Sequence, residues 1–146
     1  MRQHRQHAGR IIVMTYVWAY LAAAIVFIVL DLLWLGVIAK GYYHGELGSL
    51  LRQPFNMPAA VVFYLMYLGG VLFFAMVPAI AAQSLKTAAL YGFLLGLLAY
   101  GTYDLTNLAT LKNWPLGLSI VDMIWGGVLT SICSVSGVAA ARFASS

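Results

Sequence analysis

At 146 residues, with 63% of them hydrophobic, 8% charged and a formal net charge of +4, the chain carries far too few charges for a soluble domain, where about a quarter of residues are charged. A mean hydropathy of +0.90 assigns it to the integral membrane proteins, and the length leaves room for one multi-span unit rather than two domains. The single cysteine, Cys133, excludes an internal disulfide or a thiolate cluster.

Taken in chain order, residues 1–10, "MRQHRQHAGR", form a basic arm. Such an arm beside a span suits an anionic cytoplasmic leaflet, so lipid and not nucleic acid is the expected partner. Residues 11–146 are expected to form a single four-span transmembrane domain. A helix needs about 20 apolar residues to cross roughly 30 Å of hydrocarbon, and four stretches qualify: 11–39, 58–82, 87–111 and 115–141. The first is too long for a signal peptide, and no small-residue cleavage site follows it before Lys40. Between the first two spans lies a polar stretch with Gly41, Gly45, Gly48 and Pro54. Residues 83–86 make a tight turn, and "KNWP" turns into the last span with Pro115 at a helix start. The expected fold is all-α: an integral membrane four-helix bundle with a short outer amphipathic loop segment.

Orientation follows from the Lys and Arg positions. With the N-terminus inside, Arg2, Arg5, Arg10, Lys86 and Arg142 are cytoplasmic, against Lys40, Arg52 and Lys112 outside. Both termini are therefore expected in the cytoplasm, with dual orientation as the alternative.

The few acids then acquire a depth. Asp31 lies nine residues before Lys40, Asp104 eight before Lys112, and Asp122 seven after Pro115. At 1.5 Å per residue, each sits roughly 10 to 14 Å below the same, outer surface. Helical phase places Tyr100, Tyr103, Asp104 and Asn107 on one stripe of the third span, and Asp31 with Trp34 on one stripe of the first. Tyr64 and Tyr67 of the second span lie at matching depth. A charged residue at a helix centre costs about 2.5 to 3.5 kcal/mol on insertion scales, so these acids should face inward.

Two segments share a pattern: "LDLLWLG" at 30–36 and "VDMIWGG" at 121–127 each place a tryptophan three residues after an aspartate. That spacing suits an indole N–H beside a carboxyl, with Trp34 and Trp125 as partners of the acids rather than interface anchors. Trp18 and Trp114, near span ends, are expected to be the anchors. Structural glue between helices is the competing use of the acids.

Small residues form a second pattern. Ala88, Gly92 and Gly96 on the third span, and Gly126, Thr130 and Ser134 on the fourth, allow close helix approach. Packing within the bundle is the primary expectation and a homodimer the alternative. In the outer loop "KGYYHGELGSLLRQPFN", Tyr42, Tyr43, Leu47, Leu50 and Leu51 suggest a short amphipathic or re-entrant segment over the acids, with His44, Glu46 and Arg52 as polar contacts. It reads equally as a lid or as an interfacial connector. No HExxH or paired-Cys spacing is present, so no metal and no cofactor is expected.

Together, "LDLLWLGVIAKGYY", "LAYGTYDLTNLATLKNWP" and "VDMIWG" resemble a small bacterial membrane protein family catalogued as a domain of unknown function, number twenty-one seventy-seven. The resemblance covers about 14–141, and the basic arm looks like an extension beyond the family's usual start. It implies a four-span protein of the bacterial inner membrane, with Asp31, Trp34, Tyr103, Asp104, Asn107, Asp122 and Trp125 on the signature segments, and it brings no activity. Three functions remain open from the residues. The acid and aromatic layer is a binding site for a proton or a cationic or lipid-like ligand in a minimal carrier. Alternatively, the protein is an intramembrane enzyme using Asp acid–base chemistry on a lipid-like substrate, or a non-catalytic accessory or assembly subunit.

Overall fold

A computed structural model describes residues 2–52 and 54–145, and the side chains of 13–48, 50–52 and 54–144 among them. The side chains of the basic arm, with their expected leaflet contact, lie outside the described residues. The arm's backbone from Arg2 onward is helical and continuous with the first span, so α1 runs Arg2–Leu33.

Among the described residues, four helical stretches are long and apolar enough to cross a membrane: Val13–Ile38, Met57–Ala81, Leu85–Thr110 and Leu116–Ala144. They match the expected spans to within a few residues. The first comprises α1 and a wider π-helical turn, Trp34–Ile38, closed by the Ala39 N–H on the Trp34 carbonyl at 2.7 Å. A short helix, α2 (Lys40–Leu47), follows and ends at Gly48, whose φ of 45° favours glycine. It is the helical segment expected over the acids.

The second span is broken into α3 (Met57–Val71), a π-helical turn at Leu72–Met76, and α4 (Val77–Ala81). The break has a chemical cause. Pro78 lacks an N–H and its ring would crowd the carbonyl four residues back, so the widened turn before it relieves the conflict. Asn56 caps α3, accepting from the Ala59 N–H at 3.4 Å. Ser84 caps α5 (Leu85–Thr110), accepting from the Thr87 N–H at 3.1 Å. The "KNWP" turn then reverses the chain into α6 (Leu116–Ser145), with Asn113 at a φ of 61°.

The most extensive packing is between α6 and α5, and next between α6 and α1. The small stripes are consumed there. A Cβ on Gly92 would stand 2.7 Å from the Thr130 carbonyl oxygen, and one on Gly96 2.6 Å from Thr130 Oγ1. Gly137 of α6 meets Met76 and the Ala19 backbone in the same way. The core, including Ala19, Ala23, Phe27, Met76, Leu129, Cys133 and Val138, fills the half of the bundle away from α2. The second span joins α5 through its π-helical turn and α4, whereas α3 makes few backbone approaches to α5 or α6. At the α2 end the bundle is consequently looser.

Candidate functional site

That looseness leaves a cavity of about 500 Å³. The cavity is bounded by Asp31, Trp34 and Leu35 of the first span, Ala59, Ala60, Phe63 and Tyr64 of α3, Ala99, Tyr100 and Tyr103 of α5, and Asp122 and Trp125 of α6. Tyr43 of α2 and the Phe55–Asn56 segment complete the lining. Four spans and the loop helix thus converge on one space, and two carboxyls enter it.

Each cavity carboxyl is held by a tyrosine from a different element. Tyr64 Oη donates to Asp31 Oδ2 at 2.6 Å, tying α3 to α1. Tyr43 Oη donates to Asp122 Oδ1, tying α2 to α6. Tyr43 in turn accepts from Trp34 Nε1 at 3.3 Å. Burial first, and then the bond to Asp122, push the ionisation of Tyr43 well above the usual tyrosine value, so its hydroxyl stays protonated and donating.

The two tryptophans of the repeated pattern stack on each other, with ring centroids 4.3 Å apart and planes 9° from parallel. Their partnership with the acids is crossed. The indole of Trp34 serves Asp122 of the opposite helix through Tyr43. Trp125 lies beside Asp31, and its Nε1, buried, has no hydrogen-bond partner among the described residues. The expected indole beside a carboxyl is therefore present, but between segments rather than within each one.

Of the three acids, Asp122 is the one near both of the others, Asp31 and Asp104.

Several expected members of the layer lie elsewhere. Asp104 is fully buried, at 0% exposure, but faces α6 beside Ser119 and Asp122 and does not border the cavity. Neither of its carboxyl oxygens has a hydrogen-bond partner among the described residues. Helical phase is the reason: Tyr100 and Tyr103 occupy the cavity side of α5, and the next residue turns about 100° toward α6. Asn107 lies half-buried beside Tyr103 and outside the cavity lining. Tyr67 is buried below the cavity, its hydroxyl 2.7 Å from Thr130 Oγ1.

His44 and Glu46 are exposed on α2, and the His44 Nδ1 is engaged by the Lys40 carbonyl at 2.8 Å. Trp114 is not an interface anchor. It is 9% exposed, donates to Ser119 Oγ at 3.0 Å and stands edge-on to Tyr103. Trp18, at 49% exposure, keeps a position that suits an anchor. Among the described residues no three His, Cys, Asp or Glu side chains come together as metal ligands.

Sequence reasoning missed Tyr43 as a site residue. Its signal was the apolar face of "KGYYHGEL", which placed it over the acids without showing that its hydroxyl reaches Asp122.

A family model described as "Predicted membrane protein (DUF2177)" matches residues 16–139. No curated protein and no solved structure matches the chain.

Proposed function

The chain belongs to that family of membrane proteins, and for it we propose that the cavity at the α2 end binds a cationic, lipid-like ligand between Asp31 and Asp122. In this reading α2 lies on the outer side of a bacterial inner membrane, both termini are cytoplasmic, and the protein is a minimal carrier that exchanges a proton for its ligand. The observation that carries the reading is one space of about 500 Å³ holding two carboxyls and two stacked indoles from separate spans. Its size falls in the range of about 300 to 1,000 Å³ typical of ligand sites. Acids in such a wall favour a cation, and Trp and Tyr faces add attraction for it.

The alternatives account for less. Helix glue explains the bond from Tyr64 to Asp31 and that from Tyr43 to Asp122, but a polar contact that only joins helices has no use for the space beside it. Acid–base catalysis calls for a carboxyl free to exchange a proton with a substrate. Each cavity carboxyl has one oxygen engaged by a tyrosine hydroxyl, and the mainly apolar and aromatic lining around the two offers few further polar groups to fix a substrate's reacting atoms.

The test uses tetraphenylphosphonium as an apolar cation and intrinsic tryptophan emission as the readout. The expected result is saturable quenching that weakens in Asp31→Asn and in Asp122→Asn, and disappears when both are changed. A linear, partition-like signal that is the same in all variants contradicts the reading.

A further inference from the structure

We propose that the ligand enters sideways from the bilayer, through a gap between α3 and α5, and that it is an amphiphilic amine or quaternary ammonium whose head meets the carboxyls while its apolar body stays in the gap. This rests on the binding role proposed above for the cavity.

The gap has a floor and two walls. Its floor is the edge-on contact of Tyr67 with Tyr100, ring centroids 6.5 Å apart, with Tyr67 anchored below on Thr130. Tyr67 is ten residues into α3, about 15 Å along the helix from its outer end. That is close to half of the roughly 30 Å hydrocarbon thickness, so the gap spans one leaflet. Above the floor α3 makes few backbone approaches to α5. Small residues, Ala59 and Ala60, line the gap near the α2 end, and Ala99 borders the cavity at about the level of the floor. On the other flank, α3 is closed onto α1 by Tyr64 on Asp31, Tyr20 on the Leu65 carbonyl and Phe27 edge-on to Tyr64 at 5.2 Å.

The rim is apolar and open. Phe55 is 67% and Tyr103 56% exposed while both border the cavity. A rim of that kind at membrane depth meets acyl chains rather than water, so a solute dissolved in the bilayer has the direct route. Toward the surface the cavity is bordered by Tyr43 and Asn56. The carboxyls at the inner end then select a positive head over an anionic or neutral one.

The experiment uses the full chain, in a Trp18→Phe background that removes the exposed tryptophan outside the site, reconstituted in phosphatidylcholine vesicles with and without brominated acyl chains. Brominated chains are expected to quench Trp34 and Trp125. Dodecyltrimethylammonium relieves that quenching, and tetramethylammonium, a head without a body, does not. Ala59→Phe fills the mouth of the gap from an exposed position and loses the acyl-chain quenching at an unchanged melting temperature. Ala60→Leu, from the next position along the same wall, which is half-buried and borders the cavity, does the same and guards against misfolding of the first variant. Unaltered quenching in both variants overturns the lateral route. So does saturable binding of tetramethylammonium from water without acyl-chain quenching, an outcome that leaves the binding role of the cavity standing. Acyl-chain quenching that no ammonium probe relieves refutes the ligand class and, with it, that binding role.

Discussion

Tyr43→Phe removes a single hydroxyl, yet that hydroxyl is the polar link between α2 and the bundle. It donates to Asp122 and accepts from Trp34 at 3.3 Å. No described residue of α2 is fully buried, so little apolar burial compensates for its loss. The bond from Trp34 is long and contributes the smaller part. A bond to a carboxylate contributes about 1.5 to 3 kcal/mol, so the substitution should weaken docking of α2 by about 2 kcal/mol in total. By the conversion of about 1.4 kcal/mol per factor of ten, the undocked population rises roughly thirtyfold. Hydrogen exchange of the amides at 40–47 reads this directly in reconstituted protein, with the amides of α6 as the internal reference. Acceleration confined to 40–47 is the expected result. A double-mutant cycle with Asp122→Asn should then be non-additive by about 1 kcal/mol or more, as for groups in direct contact. Unchanged exchange at 40–47, or strict additivity, refutes the argument that this bond holds α2 over the cavity.

Three further outcomes follow from other parts of the structure. Gly96→Ala places a methyl group 2.6 Å from Thr130 Oγ1 and against the Gly126 backbone, so unfolding titrations should show a loss of about 1 to 3 kcal/mol; Gly70→Ala, with nothing within 4 Å of the added Cβ, should not destabilise the protein. Tyr43 ionises at higher pH in the folded protein than in the unfolded chain, so its stabilising contribution is complete below about pH 10 and is lost as pH rises through the folded value; melting curves across alkaline buffers should fall more steeply for the wild type than for Tyr43→Phe. Tyr67→Phe removes the 2.7 Å bond to Thr130 and should cost about 1 kcal/mol in unfolding titrations, while tetraphenylphosphonium quenching is retained because Tyr67 lies beneath the cavity.

The spans were legible because each is a long apolar run bounded by Pro, Gly or a capping Ser or Asn, signals that act locally. Asp31 and Asp122 were legible as inward residues because lipid-facing acids are costly, and the shared spacing to Trp34 and Trp125 marked the indoles as their company. What the sequence did not carry was pairing between segments. Tyr43 and Asp122 stand 79 positions apart, and nothing local announces that contact. The crossed partnership of the two indoles has the same origin. Asp104 was grouped with Tyr103 because a stripe read from sequence is broad, whereas in the bundle one side of α5 faces α6 and the adjoining side faces the cavity. Trp114 looked like an interface anchor from its place beside Pro115; its donation to Ser119 is a local bond that could have been anticipated from the turn.

The central claim is that Asp31 and Asp122, from the first and last spans, present their carboxyls to one ligand-sized space. The most direct measurement is the anomalous scattering of a brominated alkyltrimethylammonium in crystals grown from lipid. A bromine peak along the gap between α3 and α5, with the ammonium head against the two carboxyls, is the predicted result. A peak confined to the outer lipid shell, with Trp34, Tyr43 and Tyr64 collapsed into the space, would contradict it.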